Sequence, residues 1–529
     1  MEFVRKLMEA QPLMALFLTI AIGTWLGSIT VRGFSLGIGA VLFVGLAVGW
    51  MAPKAVPAAQ VGTLGLAIFL YAIGIQYGKD FFAGLKSPEG RKANLIALIG
   101  VLSAGAVTLL MVGDKVKLGY ALGLFAGSGT STPTLHAAIE KLGNDDPAVG
   151  YSVAYPFGVA GPILLLQLAF IILKPKRETP ASTSQELLEI AVRNPEFVGK
   201  SLAEAMKKLP SGVQIVAVRQ DERNQPASPE FVLVENAVVL AIGPSKDALE
   251  QSRRQLGETA TGRITADRRD IDYLRVFVSK PSIVGKTVGE LVIPGGARHP
   301  VVQVRRGDAD LLGGPDLVLE YGDRVGLLTD RANFPAVREY FGDSIKGTAE
   351  VSYISIGIGL AIGFLVGAIG VPILGVGKLA IGLAGILVVG LVLGNLRRTG
   401  RMNWTIPISA SLVLRNLGLT VFLAQIGMAS GPKFAATVAE TGFLFLGLGA
   451  VILVSLALPV LLLGHFVFRM PFEQVAGIVA GACGNAAILA YANKLLQTDK
   501  PDVSYAMIFP GMTVVKILFV DIAPAFFGG

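Results

Sequence analysis

The sequence predicts a polytopic α-helical membrane protein. It reads as two inverted structural repeats, each of about five spans plus a re-entrant or broken segment, with two small α+β cytoplasmic domains inserted between them. Three observations lead there. First, 52% of the 529 residues are hydrophobic, only 16% are charged and the mean hydropathy is +0.62. Many of the apolar runs approach the ~20 residues that cross a bilayer. Second, the chain repeats itself. Gly123 matches Gly477, Gly127 matches Gly481, Pro147 matches Pro501, Tyr151 matches Tyr505 and Pro156 matches Pro510, all at one offset of 354 residues (477 − 123). Third, a charged interval from Lys174 to about Ala349 separates two apolar halves.

In the first half, apolar runs fall at 13–31, 36–51, 58–78, 93–112, 118–139 and 149–173. The first follows Arg5 and Lys6 and offers no convincing cleavage site across Trp25–Val31, so it reads as a transmembrane helix, not a signal peptide. In the second half, the runs fall at 352–373, 379–396, 404–429, 438–468, 473–492 and 503–527. The halves match in order: AIGTWLGSI (21–29) reads against AIGFLVGAI (361–369), GIGAVLFVGLAVG (37–49) against GLAGILVVGLVLG (382–394), and LGLAIFLYAIGIQYGKDF (64–81) against LGLTVFLAQIGMASGPKF (417–434). The membrane repeats are therefore bounded at 1–174 and 350–529.

Loop charge sets the expected orientation, because Lys and Arg favour the cytoplasmic side. Lys79, Lys86, Arg91 and Lys92 fall in one loop, and Lys174, Lys176 and Arg177 open the insert. Three apolar runs lie between these two loops, so one run cannot cross. The run 118–139 is the natural candidate, because Gly127-Ser128-Gly129-Thr130-Ser131-Thr132-Pro133-Thr134 breaks it. Such backbone survives at membrane depth only when buried in protein or lining a cavity. In the second half, Arg397, Arg398 and Arg401 fall inside after two crossings, and His465 and Arg469 after four. That makes the halves inverted, residues 175–349 cytoplasmic and both termini periplasmic. Arg5, Lys6, Lys115 and Lys117 weigh the other way.

The insert reads as two similar modules, 183–260 and 268–345. ELLEIAVRNPEFVGKSLAEAMKKLPSGVQIVAVRQ (186–220) is echoed by DIDYLRVFVSKPSIVGKTVGELVIPGGARHPVVQVRR (270–306). Each offers a strand, Val-Gly-Lys-Ser/Thr opening a short helix, a Val-rich strand, a closing strand and a last helix running up to a glycine. Gly257–Arg269 reads as the linker between them.

This pattern resembles the aspartate:alanine exchanger family of bacterial transporters, with two TrkA C-terminal (RCK-C) domains. The carrying motifs are IGIQYGKDF, GLFAGSGTSTPTL with YSVAYP, RNLGLTVFLAQIG, and AGACGNAAILAYAN with YAMIFP; FVGKSL and IVGKTV carry the soluble modules. The resemblance implies a secondary active antiporter of the bacterial inner membrane. Its cargo would be small carboxylates or amino acids such as aspartate and alanine. The alternatives are a dicarboxylate (succinate-like) exporter of the same architecture or an RCK-gated ion channel. It also implies a homodimer, membrane lipid around it and a small regulatory ligand on the RCK-C domains. The chain departs from repeat symmetry at one point: where the first half has Thr-Ser-Thr-Pro, the second has Gly484-Asn485-Ala486-Ala487.

A carboxylate carrier needs donors that replace water, together with positive charge. Helix N-termini freed by a broken segment supply both. Ser128, Thr130, Ser131 and Thr132 fit this at the first break, and Asn485 at the second. Small residues that permit close helix packing are the plain alternative. Arg415, where the first half has Gly62, offers bidentate recognition of a carboxylate, or sits at the interface if its helix starts later. Lys516, with Asp521 five residues on, reads as a substrate contact or an internal ion pair, and Gln76 as a donor or a packed amide. No phosphate loop, catalytic triad or metal set survives scrutiny, so no cofactor and no enzyme activity is expected. Cys483 is the only cysteine, and His136, His299 and His465 are scattered. The net charge of +8 needs no nucleic acid, since basic loops meet anionic lipid.

Overall fold

The computed structural model describes residues 2–29, 37–114, 116–175, 186–243, 245–267, 270–293, 301–306, 309–344, 352–373, 377–400, 402–496, 498 and 500–527. Lys115, Lys176, Arg177, His299 and Arg401, and the expected domain edges at 183, 268, 345 and 350, lie outside them. The described chain divides into a membrane unit (Met1–Arg177, Ser352–Thr405, Ser411–Gly529) and a second unit holding the insert.

In the membrane unit, α1 (Glu2–Ala10) meets α2 (Pro12–Ser28) at a bend of 114°. Next come α3 (Ala40–Met51), α4 (Ala59–Lys86) and α5 (Pro88–Leu110), then the short α6 (Leu118–Ser128) and α7 (Thr132–Leu142), and α8 (Asp146–Leu173). Ser87 caps α5 by accepting from Gly90 N at 3.0 Å, with Pro88 at the first helical position.

Does the run 118–139 cross? Helix α6 lies parallel to α8: a Cβ at Gly119 would meet Asp146, one at Gly123 would meet the Pro147 carbonyl, and one at Gly127 would meet the Tyr151 carbonyl. Because α8 starts beside the start of α6, the intervening α7 must run back. Its 11 residues, equal to those of α6, return the chain to the side it came from. The run is a re-entrant hairpin.

The second half repeats the plan. After the two soluble modules, whose helices are α9–α11, it has α12 (Tyr353–Ala368), α13 (Ala384–Leu396) and α14 (Ile408–Leu462). Then come α15 (Phe472–Cys483), α16 (Ala486–Leu496) and α17 (Lys500–Ile522). The two runs expected at 404–429 and 438–468 correspond to Ile408–Ala436 and Phe443–Val467, each long and apolar enough to span. Helix α15 runs parallel to α17 through Gly477 against Pro501 and Gly481 against Ile508, so α15–α16 is the second hairpin.

Reciprocal contacts give the sense of the repeat. Gly65 and Gly418, which are equivalent by sequence, face each other's carbonyl oxygens across antiparallel stretches of α4 and α14. The Gly74–Gly390 approach of α4 to α13 is mirrored by the Gly45–Gly427 approach of α3 to α14. Antiparallel self-pairing of equivalent residues is what an axis in the membrane plane produces, so the halves are inverted. The hairpins agree. Tyr491 of α16 donates to Gln167 Oε1 at 2.5 Å, far along α8 from its start, so the second hairpin opens opposite to the first.

In the insert, both modules have one strand order. With β1 (Glu186–Val192), β2 (Gln214–Gln220), β3 (Arg223–Pro226), β4 (Val238–Gly243) and β5 (Gly257–Thr259), the first sheet runs β3-β2-β4-β1-β5. With β6 (Asp272–Phe277), β7 (Val301–Arg306), β8 (Ala309–Leu312) and β9 (Arg324–Thr329), the second runs β8-β7-β9-β6. The short α9 (Leu202–Met206) and its counterpart turn Val288–Glu290 each start in a capping box, Ser201/Glu204 and Thr287/Glu290. Helices α10 (Lys246–Leu256) and α11 (Phe334–Phe341) close the modules. The expected linker differs at its start, where Gly257–Thr259 forms the edge strand β5 on β1 because the chain leaving α10 still faces unpaired β1 backbone. Val216, Val238, Leu240 and Ile242 of the first sheet share a buried cluster with Ile264, Ile271 and Val302, so the modules pack through a common apolar face. Glu189, 5% exposed, fastens the linker by accepting from the backbone N–H groups of Arg263, Ile264 and Thr265 (2.7–3.2 Å) and from Thr265 Oγ1 (2.6 Å).

Two outcomes are expected. Gly123→Ala and Gly477→Ala each push a methyl into a neighbouring backbone carbonyl and lower stability by about 1–3 kcal/mol or more. Gly357→Ala, with open space around it, is neutral or stabilising by up to ~1 kcal/mol in thermal unfolding of the purified protein. For Glu189, burial raises the carboxyl pKa but the hydrogen bonds outweigh it and the net shift is downward. Its stabilising contribution is therefore present above the ordinary carboxylate range and lost as pH falls through the depressed value. Hydrogen exchange at residues 263–265, corrected for intrinsic rate, should lose protection on acidification, and Glu189→Gln should abolish that dependence.

Candidate functional site

The two hairpin tips meet. After α6, Gly129 N bonds to Phe125 O and Ser131 N reaches back to Ala126 O at 2.8 Å, and after α15, Asn485 N reaches back to Ala480 O at 3.3 Å. These closing bonds are repeat-equivalent and form the Schellman pattern that ends a helix. Both need a residue with positive φ: Gly484 has φ +83°, and its equivalent Thr130 has φ +42°. A β-branched residue there is strained. Thr130 is held by its side chain, because Oγ1 donates to the carbonyl of Cys483 on the opposite tip at 3.1 Å.

Lys516, on α17 and 2% exposed, joins the tips. Its Nζ donates to Gly129 O at 3.1 Å and Cys483 O at 3.3 Å, the carbonyls of the residue that caps the C-terminus of α6 and of the last residue of α15. The C-terminal end of a helix carries partial negative charge, so two such ends face one ammonium. The hydroxyls cluster around this point and are all buried. Ser128 Oγ donates to Gly449 O at 2.8 Å, Ser131 Oγ shares a bond with Thr134 Oγ1 at 2.6 Å, and Thr132 Oγ1 shares one with Tyr151 OH at 3.1 Å. Ser131 precedes α7 without capping it through its side chain, which leaves the first-turn N–H groups of α7 without that partner. At the other tip, Asn485 Oδ1 accepts from Ala487 N at 2.8 Å and so caps α16.

A cavity of about 690 Å³ runs to this tip from the side on which the first hairpin opens. Pro133, His136, Glu140 and Lys141 of α7 line it, with Ile517 and Asp521 of α17 opposite. His136 Nδ1 lies 3.6 Å from Glu140 Oε2.

The structure thus brings Ser128, Thr130, Ser131, Thr132, Lys516 and Asn485 together, and leaves Arg415 and Gln76 elsewhere. Arg415, partly buried on α14, lies beside Tyr77 of α4, and the charges of Asp80 and Asp502 also act on that tyrosine. Asn493 Nδ2 donates to both oxygens of Asp502 at 3.1 Å. Asp502 and Lys516 share α17 but stand 14 positions apart, about 21 Å along the axis, so this cluster lies at the base of the second hairpin. Gln76 follows the same stretch of α4, and its buried Oε1 has no hydrogen-bond partner among the described residues. Sequence reasoning missed the Gly129 and Cys483 carbonyls and the contributions of Tyr151 and Gly449. Main-chain acceptors leave no signature in residue type; the 354 offset, which equates Gly129 with Cys483, was the one available signal.

Replacing Thr130 tests this tip. Thr130→Gly loses a hydrogen bond worth about 1 kcal/mol but releases strain of similar size, so thermal stability should hardly change. Thr130→Val keeps the strain, loses the bond and should cost about 1 kcal/mol or more.

Comparison with known proteins follows the same division. A family profile described as a predicted permease membrane region, of the aspartate:alanine exchanger type, matches residues 15–171 and 355–525. The TrkA-C domain matches residues 187–255 and 273–342. An uncharacterized transporter of Geobacter sulfurreducens is 38% identical over 97% of each chain. One from Symbiobacterium thermophilum is 35% identical over 98% of each, and one from Corynebacterium efficiens is 34% identical over 96% of this chain and 97% of that one. A solved GsuK channel bound to NAD matches at 12% identity and a TM-score of 0.16, over 35% of this chain and 58% of that one, too loosely to carry an argument. The chain belongs to the aspartate:alanine exchanger family of membrane permeases, with paired TrkA-C domains between its two membrane repeats.

Proposed function

We propose that this transporter is an antiporter that exchanges small carboxylates or amino acids, such as aspartate and alanine, at the meeting point of its two hairpin tips. The carrying observation is the convergence of a buried ammonium, clustered hydroxyls and the N-terminus of α7, with a cavity that reaches their neighbours Pro133 and Ile517. A carboxylate fits this chemistry, because a helix N-terminus offers N–H donors and partial positive charge, and the ammonium and hydroxyls add more. Inverted repeats around such a site support alternating access. The same proposal puts residues 175–349 in the cytoplasm. Lys79, Lys86, Arg91 and Lys92 then share that side with His465, Arg469 and the base of the second hairpin, and the cavity opens to the opposite face.

The test is counterflow in proteoliposomes with labelled aspartate, alanine and succinate. Saturable uptake that requires substrate inside the vesicle is expected. Ser131→Ala with Thr132→Val should weaken apparent affinity by roughly tenfold, the effect of about 1.4 kcal/mol of lost contacts. Current that flows with no substrate on the far side would replace this reading with a channel.

A further inference from the structure

A buried ammonium ordinarily finds a carboxylate, because an uncompensated charge in a low dielectric is costly. Lys516 has no ion pair among the described residues; its partners are the two carbonyls of Gly129 and Cys483. Asp521 is on the same helix but lines the cavity beside Glu140 and Lys141. Compensation comes instead from the helices. Each C-terminus carries about half a negative elementary charge, and two of them offset one ammonium. The two carbonyls are repeat-equivalent (129 and 483 differ by 354), so Nζ sits close to the pseudo-two-fold axis relating the halves. Lys516 itself breaks that symmetry, since its equivalent position holds Pro162.

Helix C-terminal carbonyls at a broken segment, with a nearby hydroxyl oxygen such as Thr130 Oγ1, form the donor set that takes a coupling cation in carriers with discontinuous helices. Here a cation that cannot leave already fills that place. We propose that Lys516 is a tethered replacement for a dissolved alkali cation: it holds the two tips together in a carbonyl cage that is a latent sodium site. Substrate gradients alone then drive exchange, because the cation never dissociates on either side. The inference rests on the transporter reading only for its flux arm.

The thermal arm uses the purified full-length protein, compared in sodium chloride and choline chloride at equal ionic strength. The parent's unfolding temperature should not respond to the exchange of salts. Lys516→Ala vacates the cage, so it should unfold at lower temperature in choline and regain at least about 3 °C in sodium, saturably. Lys516→Met, whose side chain refills the space without charge, should show no sodium-specific gain. A Lys516→Ala protein indifferent to sodium would overturn the proposal, as would equal gains in both variants. The flux arm needs no variant and decides the matter should Lys516→Ala fail to fold. Exchange by the parent should stay within about twofold when choline replaces sodium and potassium on both sides, or when the pH gradient is collapsed. A tenfold loss in either case overturns the proposal. Absence of carboxylate exchange altogether would sink the substrate reading and leave the thermal result standing.

Discussion

Two helices that end inside a membrane leave carbonyl groups that neither lipid nor a continuing helix can satisfy, and in this protein one ammonium meets both sets. The Lys516 contacts to Gly129 and Cys483 let the chain break at Gly129–Ser131 and again at Gly484–Asn485 while remaining buried. Everything around the tips depends on that solution. The strained Thr130 is held by its bond to the same Cys483 carbonyl, and Ser128 reaches across to Gly449 of the other repeat. Without the ammonium, two like partial charges would face each other across a few ångströms of low dielectric.

The inverted repeat explains why these ends meet at all. Equivalent hairpins entering from opposite sides must bring their tips to the axis, and the close approach of Gly65 to Gly418 fixes that axis through α4 and α14. Symmetry ends at the side chains. Lys516 answers Pro162, Thr130 answers Gly484 and Ser131 answers Asn485. One tip therefore brings hydroxyls and an uncapped helix start, while the other brings a capped helix and the lysine. On the proposed reading, a single cargo bound between unequal tips needs only one set of donors, so the second copy is free to specialise in holding the first.

How much of this the residues announce depends on the length scale of the cause. The duplication is legible because it is written in order along the chain, and the fold-back of 118–139 is legible because loop charge counts crossings. The polar tip at 127–134 is legible because serine and threonine are rare in an apolar run without reason. Arg415 is different. Its charge marks it as special, but whether it reaches the tips depends on its depth along α14 and on the Tyr77 hydroxyl that α4 presents to it. Neither can be read from spacing alone. The Gly129 and Cys483 carbonyls are invisible in principle, since every residue has one. In the insert, the likeness of the two modules is legible in their echo, whereas the strand order and the pairing of Gly257–Thr259 with β1, which depends on an open sheet edge, are marked by no local pattern.

The two sides of the tips are built differently, which bears on how exchange would proceed. On the side where the first hairpin opens, the cavity reaches Pro133 past Glu140, Lys141 and Asp521 in a largely apolar wall. On the other side, Tyr77 of α4 packs edge-on against Tyr505 and Phe509 of α17, with ring centroids 6.0 and 6.1 Å away, and Asn493 Nδ2 donates to Asp502 at the polar rim. Asn493 and Asp502 belong to α16 and α17, so their bonds bind the second hairpin to its own following helix and can persist if that unit moves. The ring contacts from Tyr77 to α17 join different elements and, on the proposed reading, must part for the tips to be reached from this side. On the proposed reading, the ring packing around Tyr77 is what closes the tips from this side.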